Sequence, residues 1–211
     1  MIHILLDQSY NGKKFSAFAA KQKWMLLAVF DADPDNGQAA QIVCEDPATK
    51  TRCYYVEDFL IDLRYLIVDG KQQAAIADAI YASKQIKVIA PEVIYSMVKK
   101  ARSRQALVLG LRMLAVISPE TYDEPTFELF QKGLEHKDPR VRHASLQIVT
   151  YPNWKQFFEL AKLMHKEDPD PGVREKAKGF ITAYKSILET KKKKVAAKKK
   201  KLPAKKAVSK K

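Results

Sequence analysis

The residues with the clearest chemistry are the lysines at the end of the chain. Residues 191–211 contain 12 lysines and no acidic residue, interspersed with Val, Ala and Pro203. A dense row of ammonium groups binds a phosphate backbone, because each neutralised phosphate releases condensed counterions. The predicted nucleic-acid-binding residues are Lys191, Lys192, Lys193, Lys194, Lys198, Lys199, Lys200, Lys201, Lys205, Lys206, Lys210 and Lys211.

The kind of binding follows from what this Lys-rich segment lacks. It has no aromatic side chain on which bases could stack and no arginine for bidentate recognition of guanine. Like charges at this density repel one another, so the segment is expected to be disordered. If about half of the lysines contact phosphates, the slope of log Kobs against log salt is about −5. The expected binding is independent of sequence, and the choice between DNA and RNA stays open.

A second group of candidate residues consists of arginines in residues 91–190. Two matched sequences lie 32 residues apart: DPRVRHA, which begins at Asp138, and DPGVREKA, which begins at Asp170. In both, Asp can cap the first turn of a helix and Pro suits the first helical position. A weaker copy of the Arg-x-Ala core begins at Arg104, 38 residues before Arg142. Such spacings are typical of solenoids built from helix pairs.

The Asp-Pro-x-Val-Arg sequence resembles the signature of HEAT repeats, especially of the short bacterial kind. The resemblance covers residues 91–190 and implies an α-solenoid of about three helix pairs with an extended concave surface. It also implies that Arg142 and Arg174 each pair with an Asp of an adjacent repeat, forming a ladder. The alternative is a concave surface that binds an acidic ligand, and Arg140 suits it best because it has no ladder position. The candidates for ladder or surface are Arg102, Arg104, Arg140, Arg142 and Arg174.

The composition of the Lys-rich segment has its own resemblance. Its Lys, Ala and Pro content is similar to that of the tails of histone H1-like proteins and of some bacterial nucleoid proteins. This likeness implies non-specific binding to DNA and an association with the nucleoid.

The charge distribution separates this segment from the rest of the chain. The 211 residues carry a net charge of +14, but residues 1–190 carry 26 basic and 24 acidic residues, a net charge of only +2. A body of 190 residues buries enough surface to fold without disulfides or a metal. Three parts are therefore predicted: a small α+β unit (1–90), HEAT-like helical repeats (91–190) and a disordered tail (191–211).

Apolar runs and turn residues predict the α+β unit. Strands are expected at residues 24–30, 39–44, 52–56 and 63–68, although Leu60, Leu63 and Ile67 also fit helical spacing, and a helix is expected at 71–83. The Asn36-Gly37 pair between the first two strands is typical of a hairpin turn. From Pro91 onwards the apolar residues recur at helical spacing in six stretches, which are separated by polar or Pro-containing turns. This periodicity predicts six amphipathic helices.

The other groups of chemically active residues in the sequence predict no catalytic, metal-binding or cofactor-binding site. Asp31, Asp33 and Asp35 lack the Gly and Glu positions of a calcium loop, so a hairpin turn is favoured. The four histidines have no metal-ligand spacing, and phosphate-binding or nucleophile motifs are absent from the sequence. Cys44 and Cys53 form no CxxC pair and are interpreted as reduced thiols, although a cross-strand disulfide stays possible in a secreted hairpin.

The leading hypothesis is a non-enzymatic binding or scaffold protein in the cytoplasm, with nucleoid association. Its repeats would bind an unidentified protein partner, its tail would bind nucleic acid, and no membrane segment or small-molecule substrate is expected. One alternative is an enzyme resembling the HEAT-like alkylpurine DNA glycosylases, although residues 91–190 carry a net charge of only +3 and offer no assignable catalytic Asp. A HEAT-like bilin lyase lacks a recognisable cysteine context. A protein-binding module whose tail only keeps it soluble is the remaining rival.

Overall fold

The computed structural model describes the backbone of residues 1–201 and the side-chain surroundings of residues 1–186. The chain forms two compact units, Met1–Trp154 and a second unit that begins at Lys155. In the described residues, no helix is both long enough and apolar enough to cross a lipid bilayer.

The N-terminal part of the first unit contains a five-stranded antiparallel sheet, in agreement with the predicted α+β class. Its strand order is β1-β5-β4-β3-β2, so β1 and β2 are the two edges. The predicted strands are confirmed, and β1, which was not predicted, pairs with β5 from Ile2↔Val68 to Leu5↔Tyr65. The strands are β1 (Ile2–Leu5), β2 (Met25–Phe30), β3 (Ala40–Glu45), β4 (Arg52–Asp58) and β5 (Leu63–Asp69).

The hairpin between β2 and β3 forms at the predicted Asn-Gly turn. Gly37 adopts a φ of 68°, which the missing Cβ permits without strain. The carboxylate of Asp33 accepts hydrogen bonds from the backbone N–H of Asn36 at 3.2 Å and from its side-chain amide at 2.7 Å. The carboxylate of Asp33 therefore stabilises a turn, as the hairpin interpretation predicted.

Two helices pack near the sheet, and one of them was missed from the sequence. The helix α1 (Gly12–Lys21) begins at Asn11, whose side chain accepts a hydrogen bond from the N–H of Lys14. It buries Phe15 against β4, where the ring stacks on Tyr55 with 5.5 Å between centroids. The helix α2 (Gln73–Ala82) was predicted.

All six predicted helices after residue 90 are present. In the first unit, α3 packs against α4, α5 packs against α6, and α4 also contacts α5 and α6. In the second unit, α7 packs against α8. The bounds are α3 (Pro91–Lys100), α4 (Arg104–Ile117), α5 (Glu124–Leu134), α6 (Pro139–Ile148), α7 (Lys155–Glu167) and α8 (Pro171–Lys201).

The first unit does not end at residue 90, where the sequence placed a domain boundary. Helix α4 packs against β1 and β5. The ring Nδ1–H of His3 donates to the carbonyl of Val116 at 2.7 Å, and the hydroxyl of Tyr151 donates to the buried Asp58 carboxylate at 2.7 Å. Because α4 and the turn after α6 make these contacts with the sheet, the compact unit extends to Trp154.

The backbone also differs from the prediction at the start of the Lys-rich segment. Disorder was expected from residue 191, but α8 continues to Lys201. Lys and Ala are good helix formers, and extending an existing helix needs no new nucleus. The remaining part of the predicted tail, residues 202–211, lies outside the described residues.

Candidate nucleic-acid interface

The candidate site begins at the turn between α3 and α4. Helix α3 ends with Lys99 and Lys100, where cations interact favourably with the negative end of the helix dipole. Helix α4 begins after Ser103, whose hydroxyl accepts a hydrogen bond from the N–H of Ala106 at 3.1 Å. The intervening Arg102 is exposed. This short turn therefore holds several cations at one end of the helix pair.

The turn between α5 and α6 brings a second set of cations to the same place. Because α4 packs against both α5 and α6, Lys132, His136 and Lys137 lie beside the start of α4. Together the two turns enclose a cavity of about 560 Å³, which we call the basic groove. Its charged or titratable lining residues are Lys99, Arg102, Arg104, Lys132, His136, Lys137 and Asp138.

The basic groove continues into two neighbouring cavities. One, of about 800 Å³, shares Arg102 with the groove, and another, of about 360 Å³, shares Arg104. Only two acidic residues, Glu92 and Asp138, line the three cavities. We call the eight cations that line them the basic surface: Lys99, Lys100, Arg102, Arg104, Arg112, Lys132, Lys137 and Arg140.

The charges of this part of the chain are strongly segregated. Residues 91–154 contain nine Lys or Arg residues and seven Asp or Glu residues. Eight of the nine basic residues line the three cavities, against two of the seven acidic residues. The basic surface and its two acidic neighbours therefore have a net charge of +6 within a nearly neutral unit, and such a patch attracts polyanions.

One carboxylate fixes the middle of the basic surface. An oxygen of Asp138 contacts the guanidinium groups of both Arg104 and Arg140, the latter at 3.1 Å. The other oxygen caps α6 by accepting the N–H of Arg140 at 2.9 Å. The side chains of Arg104 and Arg140 remain 44% and 76% exposed. One carboxylate thus positions two arginines that still face solvent. Because two positive charges surround one negative charge, this group of three residues has a net charge of +1.

Two of the five candidate arginines donate hydrogen bonds to backbone carbonyls of the turn that precedes their own helix. Arg142, which is buried, donates from Nη1 to the carbonyls of His136 and Lys137 at 2.8 and 3.2 Å. Arg174 donates from Nη1 to the carbonyls of Asp168 and Pro169 at 2.6 and 3.1 Å. In each copy the arginine therefore binds the carbonyls six and five residues before it and fastens the turn that precedes the helix.

The structure thus divides the predicted site residues. Arg102, Arg104 and Arg140 share the basic surface, while the hydrogen bonds of Arg142 and Arg174 hold turns of the backbone. Arg174 belongs to the second unit. The lysine side chains from Lys191 to Lys201, and all of residues 202–211, lie outside the described side chains.

Sequence reasoning missed five residues of the basic surface. They are spread over helices α3 to α5 and the turn after α5, and a summed charge of +3 for residues 91–190 conceals them. Their position in the sequence could have revealed some of these residues. Several of the missed lysines follow the last apolar residue of a helix, and consecutive helix pairs bring such helix ends together. The missed residues are Lys99, Lys100, Arg112, Lys132 and Lys137.

The fold and this site define an α+β protein whose helical region carries a segregated basic surface. No family model, no curated protein and no solved structure matches the chain.

Proposed function

We propose that this chain is a non-enzymatic nucleic-acid-binding protein, which contacts the phosphate backbone with the basic surface of α3–α6 and with the lysines of residues 191–211. The observation that carries the proposal is the segregation of eight of nine basic residues onto one surface. Each Lys or Arg that neutralises a phosphate contributes to affinity through counterion release. The two cationic parts then act on one polyanion.

The surface favours duplex backbone over unpaired bases. No Phe, Tyr or Trp side chain lines the three cavities, so in the described residues the basic surface offers none of the large aromatic platforms on which bases usually stack. Phosphate contacts position a protein on a duplex and carry no sequence information. Binding is therefore expected to be independent of sequence and tighter for a duplex than for single-stranded RNA of equal length.

The two copies of the Asp-Pro-x-Val-Arg motif support a HEAT-like helical region. Both motif aspartates cap their helices: Asp138 accepts the N–H of Arg140 and Asp170 accepts the N–H of Val173, each at 2.9 Å. Both motif arginines bind the same two carbonyl positions of the preceding turn. The contact between Arg104 and Asp138, from one helix pair to the next, resembles a rung of a HEAT ladder. A protein partner for these helices stays a prediction.

The test compares residues 1–211 with residues 1–190 for binding to unrelated duplexes and to single-stranded RNA across a salt series. We expect the full chain to bind every duplex with similar affinity, and the shorter chain to retain weaker binding with a shallower salt slope. Loss of the lysines after residue 190 should reduce the slope by about 5 if half of them contact phosphates. Absence of duplex binding by the full chain at 50 mM salt would refute the proposal.

A further inference from the structure

The strand β2 is an apolar edge that no part of the described chain covers. Its sequence, Met-Leu-Leu-Ala-Val-Phe, contains no charge, and the strand lies at the end of the sheet beyond β3. An edge strand leaves a row of backbone N–H and C=O groups without partners, and soluble proteins normally blunt such edges with charge or cover them. Five of its six side chains are between 41% and 60% exposed: Met25, Leu26, Leu27, Val29 and Phe30.

We propose that a second copy of this chain covers this edge, with the two β2 strands paired antiparallel about a two-fold axis. The pairing joins two five-stranded sheets into one continuous sheet and buries the exposed apolar side chains. A two-fold interface brings the same patch of both copies together, so the patch must complement itself. An uncharged apolar strand of this kind meets that condition along its length.

The charges on either side of β2 select the antiparallel orientation. Exposed Lys21 and Lys23 precede the strand, and exposed Asp31 and Asp35 follow it. In an antiparallel pair, the basic end of each strand lies beside the acidic end of the other, so opposite charges meet twice. In a parallel pair, like charges would meet at both ends, which is destabilising. Charge complementarity of this kind specifies a second copy in one orientation.

The flanking charges are available for such contacts. Neither Lys23 nor Asp31 forms an ion pair with its own chain in the part that the structure describes. The nearby Asp33 is different, because its carboxylate is engaged by Asn36 in the hairpin turn. In the described part of the chain, the charges closest to the two ends of β2 are thus without ion pairs.

The size of the edge sets the strength of the expected dimer. A bulge between Leu26 and Ala28 shifts the pairing of β2 with β3, and bulges increase the local twist of a strand. An interface built on one twisted strand of six residues lies at the low end of specific interfaces, about 1,200 Å² or less. The dimer should therefore be reversible and should dissociate on dilution.

The experiment is sedimentation equilibrium of the full chain over a hundredfold concentration range without nucleic acid. We expect the average mass to rise from 24.0 kDa towards twice that value. Val29→Lys on β2 should weaken the dimer at least about tenfold, because it places a charge on the pairing edge. The matched control is Val93→Lys on α3, since Val93 is 59% exposed and Val29 is 60% exposed. The control should leave the dimer unchanged.

A charge exchange tests the orientation. Lys23→Glu alone and Asp31→Lys alone should each weaken the dimer by about three- to tenfold, because each places like charges together at two symmetric contacts. The double variant should restore the original dissociation constant. In a parallel pair the single variants would leave the affinity unchanged, which would overturn the proposed orientation. A monomer at all concentrations, or equal effects of Val29→Lys and Val93→Lys, would overturn the proposal, and circular dichroism confirms that each variant folds.

Discussion

Two groups of arginines in the helical region differ in what they do, although they come from the same sequence motif. Arg142 is 8% exposed and its guanidinium binds backbone carbonyls, whereas the side chain of Arg140, two residues earlier, is 76% exposed beside Asp138. The first kind of arginine holds a turn in place, and the second leaves its charge in solvent. The difference teaches that position within the motif, more than residue type, determines whether an arginine stabilises a turn or leaves its charge in solvent.

The largest effect should come from removing the buried member of this comparison. Arg142→Met retains an apolar stem but leaves the carbonyls of His136 and Lys137 without their donor. Because hydrogen bonds to a charged group contribute about 1.5–3 kcal/mol, the free energy of unfolding should fall by about 2–3 kcal/mol. Arg140→Met is the matched control and should cost less than about 1 kcal/mol. Equal losses in urea denaturation of the two variants would remove the distinction between the arginines.

The second copy of the motif gives an intermediate case. Arg174 makes the equivalent pair of hydrogen bonds but is only half-buried, so water can replace part of the lost interaction. Arg174→Met should therefore lower the free energy of unfolding by about 1 kcal/mol. Thermal and urea denaturation of the variant measure this loss. A loss larger than that of Arg142→Met would show that burial is not what separates the two copies.

How well the sequence predicts each helix or strand depends on whether local residues, such as a capping Ser or Asp, signal its start. Helices α3–α6 carry Pro or a capping Ser or Asp at their start, and these local signals predict them well. Strand β1 has four residues, too few for a periodic pattern, and α1 begins with Gly12 and has no acidic residue in its first turn. Their positions depend on long-range contacts with β4 and β5, which periodicity does not report.

The residues of the basic surface also differ in how well the sequence predicts them. The repeated motif led to Arg102, Arg104 and Arg140, which do lie on the basic surface. Lys132 and Lys137 reach it only because α5 and α6 pack against α4, a tertiary relation between residues about 30 positions apart. Average charge over a segment hides such a surface, since acidic residues on the other faces balance it.

Asp138 allows a further test of this comparison, because its carboxylate contacts the solvent-facing Arg104 and Arg140. Asp138→Asn keeps a good N-cap, so stability should change by less than about 1 kcal/mol. Duplex affinity should rise roughly threefold at low salt, because a negative charge leaves the basic surface. Asp170→Asn makes the same change of charge and keeps the cap of the other motif copy. Fluorescence anisotropy should show a smaller gain for Asp170→Asn, and an equal gain would indicate an effect of net charge alone.

The smallest effect concerns the dependence of stability on pH, which should arise at His3. Burial lowers the pKa of His3, and this outweighs the hydrogen bond to Val116, which favours protonation. The unfolded chain therefore binds a proton more readily, so stability is complete above about pH 6.5 and decreases as pH falls below that value.

The measurement compares Tm at pH 7.5 and pH 5.0 for the original chain, for His3→Gln and for His143→Gln, in which an exposed histidine of α6 is replaced. The decrease in Tm on acidification should be smaller in His3→Gln than in the original chain. The His143→Gln variant should behave like the original chain. An identical decrease in all three proteins would contradict the assignment to His3.

The central claim is that the basic surface itself contacts phosphates, and the slope of log Kobs against log salt tests it most directly. The variant Lys99→Gln/Arg102→Gln/Lys137→Gln removes three cations of the surface in the full chain. The control Lys13→Gln/Lys71→Gln/Lys84→Gln removes three exposed lysines elsewhere, so both proteins have the same net charge. The account predicts that the surface variant reduces the slope by about 2–3 while the control leaves it nearly unchanged. Equal slopes for the two variants would contradict it.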